Sequence, residues 1–225
     1  MPDLRILLYC PLSPNPPGIY DQSLQGIFGL DWPYPIDYAF GRQDTPPGGD
    51  GGYDQITAKY NYARKLVLDN DYDALFTVES DMIIPSMTLQ RLIRVEADVA
   101  YGLYCSRHGR HQWLAYAWMN DKNGESVDHG YEWCVDVWGQ AAETMGVGLG
   151  CTLIWRRVLE SIEFTRRGGS ANDWYFSLDC RKNGFVQKHD FGIICGHIDK
   201  ERDRIRVIWP SIENPLRMYE VKELT

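Results

Sequence analysis

An apolar run, Ala74-Leu75-Phe76-Thr77-Val78, ends in two carboxylates, Glu79 and Asp81, with Ser80 between them. In an extended chain residues i and i+2 share one face, so the two acids point the same way. At the carboxyl end of a sheet strand such a pair can hold a hard divalent cation and leave positions for water and phosphate oxygens. An isolated acid-x-acid match is more often a solvated acidic turn. Asp173 is the next carboxylate of interest, between the polar approach Gly168-Gly169-Ser170-Ala171-Asn172 and a helix-like run from Trp174 to Arg181. It reads either as a helix cap, favoured there as an anion, or as a general base, and the neutral neighbour Asn172 predicts a low pKa. His197 stands near the end of the apolar run Phe191–Ile198, where a lone histidine is more often a structural hydrogen-bonder than a ligand.

Other groups have both a binding and a structural reading. Asn61 and Arg64 lie one helical turn apart and can reach one ligand or form a surface pair. Gly146, Gly148 and Gly150 come too late in the chain, and precede too strand-like a segment (Cys151–Trp155), for a dinucleotide-binding fingerprint. Close backbone approach to a ligand is the better account of Gly148 and Gly150. Trp113, Tyr116, Trp118, Tyr131, Trp133 and Trp138 read as packing residues, some of which can line a ligand site.

These residues need elements to carry them. Ile56, Tyr60, Ala63 and Val67 recur at spacings of four, three and four, which predicts a helix over about Tyr53–Asp69. A second helix follows Pro85, with Leu89, Leu92 and Ile93 inward, and a third covers about Arg156–Ile162. Strands are predicted at Leu4–Cys10, Tyr38–Gly41, Ala74–Val78 and Val99–Tyr104, while the aromatic and glycine mixture of residues 113–151 suits short antiparallel strands and loops. The alternation predicts one α/β domain over residues 1–225, its sheet mixed in the second half, with a flexible loop near 43–52 rich in Pro and Gly.

The chain has 225 residues, 44% hydrophobic and 24% charged, the make-up of a globular protein. Its 23 Lys and Arg against 31 Asp and Glu give a net charge of -8, which disfavours a partner bound mainly through phosphate backbones. Met145–Trp155 is too short and too glycine-rich to span a bilayer, and Leu4–Cys10 lacks the flanks of a signal peptide. Six cysteines without a C-x-x-C pair point to reduced thiols and a cytoplasmic location.

Taken in order, Asn61-Tyr62-Ala63-Arg64, Glu79-Ser80-Asp81 before Pro85, Asp98-Val99-Ala100-Tyr101-Gly102-Leu103-Tyr104 before Arg107, Gly146 to Cys151, Asn172-Asp173-Trp174-Tyr175-Phe176 and Gly196-His197 resemble metal-dependent glycosyltransferases of the GT-A fold. The resemblance implies an α/β, GT-A-like (Rossmann-like) mixed sheet flanked by helices. It implies Asp81 as a direct ligand of Mn²⁺ or Mg²⁺, His197 as a further ligand and Glu79 as a weaker one or a contact to metal-bound water or ribose. It implies Asn61 and Arg64 at the nucleotide or diphosphate, Gly148 and Gly150 beside the donor, and Asp173 as the base. Glu79 departs from the usual Asp, and Asn172 from the usual acid.

The activity implied is transfer of a sugar from a nucleotide-diphosphate sugar, UDP- or GDP-linked, to an acceptor hydroxyl, with inversion favoured and retention the alternative, and with segment 107–145 shaping the acceptor site. Three alternatives stand beside it. A sugar-phosphate nucleotidyltransferase should carry a basic, glycine-rich loop after the first strand, where this chain has Pro11-Leu12-Ser13-Pro14-Asn15-Pro16-Pro17. A catalytically silent sugar- or nucleotide-binding module is the second. The third acts on a modified nucleic-acid base, for which Arg107, His108, Arg110, His111, Arg156, Arg157, Arg166 and Arg167 form a local basic group.

Overall fold

The computed structural model describes residues 4–14, 17–42, 52–107, 109–120, 125–127, 131–146, 148–167, 172–201 and 204–224. The first half runs β1 (Ile6–Pro11), the small ribbon β2 (Ser13–Pro14) and β3 (Pro17–Gly18), α1 (Asp21–Phe28), β4 (Ile36–Gly41), α2 (Tyr53–Asp69), β5 (Ala74–Val78), β6 (Met82–Ile83), α3 (Thr88–Arg94) and β7 (Val99–Leu103). The second half continues with β8 (Ala115–Asn120), β9 (Glu125–Val127), α4 (Tyr131–Val137), β10 (Ala141–Glu143), β11 (Met145–Gly146), β12 (Cys151–Trp155) and α5 (Arg156–Ser161). It closes with α6 (Asn172–Lys182), β13 (Gln187–Ile194), β14 (Gly196–Glu201), β15 (Arg204–Pro210) and β16 (Tyr219–Glu223). The loop expected near 43–52 lies outside the described residues up to 51.

Seven strands form the main sheet in the order β10-β13-β7-β12-β5-β1-β4. β1 is parallel to both β4 and β5, whereas β12 runs antiparallel to β5 and β7. This is the mixed, helix-flanked, GT-A-like sheet that the sequence predicts. Successive side chains of a strand face opposite ways, so Ile6 and Leu8 of β1 pack with Phe76, Val78 and Ile27 of α1, while Leu7 and Tyr9 pack with Leu75 and with Tyr60, Ala63 and Val67 of α2. The connection from β1 to β4 therefore crosses one face and that from β4 to β5 the other. The direction of winding reverses at β1, and such a reversal leaves a crevice at the carboxyl ends of the strands.

The same edge collects most of the segments of chemical interest. The carboxyl ends of β1, β5, β7 and β13 and the amino end of β12 lie together, so Leu12, Glu79–Asp81, Tyr104–Arg107, Gly148–Gly150 and Cys195–His197 leave the sheet side by side. A second sheet, β16-β15-β14-β6, fixes the last of these. Its register pairs His197 with Met82 and Gly196 with Ile83, and the Ile198 amide donates to the Asp81 carbonyl at 2.8 Å.

Segment 113–151 contains the expected short antiparallel strands but also α4, and α1 has no counterpart in the sequence reading. Trp113, Trp133 and Trp138 are packing residues gathered around Phe191. The side chains of Tyr116 and Trp118 lie outside the described ones. All six cysteines are buried free thiols, and among the described residues no helix is long and apolar enough to cross a membrane.

Candidate active site

Glu79-Ser80-Asp81 is a turn rather than the extended segment predicted from spacing. The Met82 amide donates to the Glu79 carbonyl at 3.0 Å, and the Glu79 amide donates to Gly150 at 3.0 Å. The turn still keeps both acids at the carboxyl end of β5, in different surroundings. Glu79 accepts a 2.9 Å hydrogen bond from the Tyr60 hydroxyl on α2. Burial and then the Asp81 charge push the Glu79 carboxyl up, against the pull of His197, Tyr60 and Arg107. Burial also pushes Asp81 up, but the facing His197 ring and the Arg107 guanidinium outweigh it and hold this carboxyl below the ordinary range. Two neighbouring acids with opposite shifts are suited to different tasks.

His197 is almost wholly buried, with Nδ1 at 2.7 Å from the Cys105 carbonyl. A carbonyl only accepts, so Nδ1 carries a proton and Nε2 is turned to the other side. There it faces Asp81 Oδ1 across 3.8 Å, too far for a hydrogen bond, and both atoms are buried without a partner among the described residues. A cation held about 2.0–2.2 Å from an oxygen and from an imidazole nitrogen spans such a gap. A backbone carbonyl orienting the far nitrogen is also what a ligating histidine uses. These two residues therefore fit a divalent cation.

The fit is a two-residue one. Among the described residues no group of three His, Cys, Asp or Glu side chains is gathered closely enough to hold a metal, and Glu79 is held by Tyr60 instead of completing a triad. One or two protein ligands, with the remainder from phosphate and water, is the ordinary habit of Mg²⁺ at nucleotide sites. The other Asp81 oxygen, Oδ2, accepts from Arg107 Nη1 at 2.5 Å.

Sequence reasoning missed Tyr104 and Lys59. The Tyr104 hydroxyl accepts from the Gly150 amide at 3.0 Å, and its ring meets that of His197 edge-on at 5.4 Å. A Cβ at Gly148, which has φ +102°, would lie 2.1 Å from that hydroxyl, and one at Gly150 would lie 2.9 Å from the ring. The glycines thus admit Tyr104, where the sequence reading had them admit a ligand. Lys59 is buried and donates to the Leu12 carbonyl at 2.5 Å. Burial pushes its amine down while the Glu79 charge opposes this. The Cys10 thiol is pushed up to about 12 by burial and by the Glu79 and Asp81 charges, which favours the thiol over the thiolate.

Asp173 lies in the first turn of α6, its Oδ1 accepting from the Trp174 amide at 2.7 Å. The low pKa expected from a neutral Asn172 is corrected here: burial outweighs the amide hydrogen bonds and pushes the carboxyl up. Burial first, and then the charges of Glu79 and Asp173, raise the Tyr60 and Tyr104 hydroxyls. Asn61 and Arg64 are engaged differently from the sequence reading. Asn61 exchanges hydrogen bonds of 2.8 and 3.0 Å with the Phe164 backbone, and Arg64 Nε donates to the carbonyls of Leu159 and Ile162. Both tie α2 to the chain leaving α5.

The basic group proposed for nucleic acid is largely neutralised within the molecule. Arg107 pairs with Asp81, Arg156 with Glu160 and Asp71, Arg157 with Asp98, Arg166 with Asp54 and Arg167 with Asp179. His108 lies outside the described residues.

Neither a protein-family model nor a curated protein sequence matches the chain. Among solved structures, A197 from STIV superposes with a TM-score of 0.63 at 18% identity, over 99% of this chain and 96% of that one. The inositol-1-phosphate CTP transferase from T. maritima gives 0.50 at 10% identity, over 89% and 91%. S. aureus TarS 1-349 in complex with UDP gives 0.46 at 13% identity, over 83% of this chain and 57% of that one. What this chain shares with A197 and the CTP transferase is the fold.

Proposed function

We propose that residues 1–225 form one domain that transfers a sugar from a nucleotide-diphosphate sugar to an acceptor hydroxyl with the help of a divalent cation. The observation that carries this reading is the pair of orphaned ligand atoms, Asp81 Oδ1 and His197 Nε2, facing across 3.8 Å at the sheet's switch point. The fold shared with a CTP transferase supports a nucleotide as the bound moiety. Bound there, Mn²⁺ or Mg²⁺ supplies charge neutralisation for a departing diphosphate.

The protein's own groups do the rest. Tyr60 keeps Glu79 turned toward the site, where this acid meets ribose or metal-bound water. Asp173, made more basic by burial, takes the proton of the acceptor hydroxyl. The acceptor oxygen then bonds to the anomeric carbon as the bond to the diphosphate oxygen breaks, and the configuration inverts.

The experiment is a screen of UDP- and GDP-sugars with Mn²⁺ and Mg²⁺, reading thermal stability and nucleotide release together. A donor at 100 times its dissociation constant stabilises by about 2.7 kcal/mol. Asp81→Ala should abolish the metal-dependent part of that shift, and His197→Ala should weaken it less. Stabilisation without nucleotide release, under every acceptor tried, favours a silent binding module over a transferase.

A further inference from the structure

Asp81 is paired with a positive group that reaches it from the protein surface. Arg107 stands on a tight reversal anchored by the Ser106 amide on Gln112, the Leu114 amide on Tyr104 and the Cys105–Trp113 bridge. Its base is therefore fixed, while the tip turns through Gly109 and His111, both at positive φ. The side chain of Arg107 is 40% exposed, against 9% for Asp81. Arg107 thus reaches a buried carboxylate from the solvent side, at the edge where β1, β5 and β7 end.

We propose that a divalent cation and Arg107 exchange at Asp81: cation binding frees the guanidinium, which then binds the diphosphate of the nucleotide. This rests on the reading of Asp81 and His197 as the cation's ligands. Three observations support it. Asp81 divides its two oxygens, Oδ2 to Arg107 and Oδ1 toward the unpartnered His197 nitrogen, so a cation held there would share one carboxylate with the guanidinium. A doubly charged ion beside that carboxylate removes most of its attraction for the guanidinium and adds repulsion. A planar guanidinium matches paired phosphate oxygens.

The exchange separates two affinities that a fixed arginine would move together. Free Mn²⁺ is counted by electron paramagnetic resonance against wild type, Arg107→Gln, Arg107→Lys and Asp81→Asn. UDP and GDP binding is then measured calorimetrically at saturating Mn²⁺. Arg107→Gln should bind Mn²⁺ roughly 5- to 50-fold more tightly, since a charge-assisted hydrogen bond no longer competes. It should bind the nucleotide at least about tenfold more weakly, having lost the phosphate fork. Arg107→Lys should fall between wild type and Arg107→Gln in both, which also covers a Gln variant that fails to fold. Unchanged or weaker Mn²⁺ affinity in Arg107→Gln, or unchanged nucleotide affinity, overturns the exchange. Where Asp81→Asn still abolishes Mn²⁺ binding in that case, only the exchange fails. Where Asp81→Asn keeps Mn²⁺ binding, or wild type binds Mn²⁺ but neither nucleotide, the functional reading fails and the exchange with it.

Discussion

Gly148 and Tyr104 are fitted to each other: the glycine has φ +102°, and a Cβ added to it would lie 2.1 Å from the tyrosine hydroxyl. The hydroxyl cannot retreat without leaving the Gly150 amide, and the ring abuts His197. Gly148→Ala therefore meets both backbone strain and a clash. A cost of about 1–3 kcal/mol follows from the strained φ alone, lowering Tm by roughly 2–4 °C per kcal/mol in a chain of this size. Thermal unfolding checks it. Tyr104→Phe combined with Gly148→Ala should recover part of the loss, because the offending oxygen is gone.

Asp173→Asn separates a base from a cap. Burial raises the Asp173 carboxyl in the folded protein. The stability it contributes is therefore fully present with the proton on, below the ordinary aspartate value of about 3.9, and is lost as pH rises through the folded value. Asparagine is neutral throughout and still accepts from the Trp174 amide. The variant should melt above wild type at pH 7, with the advantage vanishing in acid. Turnover, once donor and acceptor are in hand, should fall roughly 10²- to 10⁴-fold. Near-normal turnover would remove Asp173 from the mechanism.

Arg64→Ala tests which of two roles that residue has. Its Nε bonds to Leu159 and Ile162 are hydrogen bonds from a charged group, so their loss should cost about 1.5–3 kcal/mol. UDP and GDP affinity at saturating Mn²⁺ should hold in the folded variant. A stable variant with weakened nucleotide binding would restore Arg64 to the diphosphate.

How much of this is legible without coordinates depends on the distance over which each contact forms. β5 is found to the residue, since an apolar run that stops in a carboxylate is a local signal. α2 is found as well, because seventeen residues give its apolar face time to repeat. α1 is only eight residues long and no side chain caps it, so neither period nor cap announces it. The pairing of Asp81 with His197 needs the β6–β14 register, and Arg107 needs β7 beside β12 and β13, neither of which is written in local pattern. Tyr104 hides among fourteen tyrosines. The glycines opposite it signalled a close approach, but not to what.

The account turns on whether one cation joins Asp81 to His197. Crystals soaked with Mn²⁺ and UDP and measured at a wavelength where manganese scatters anomalously give the most direct answer. One strong anomalous peak is expected about 2.0–2.3 Å from both Asp81 Oδ1 and His197 Nε2, with diphosphate oxygens completing its shell. A peak elsewhere, or UDP bound with no peak between those two atoms, would contradict it.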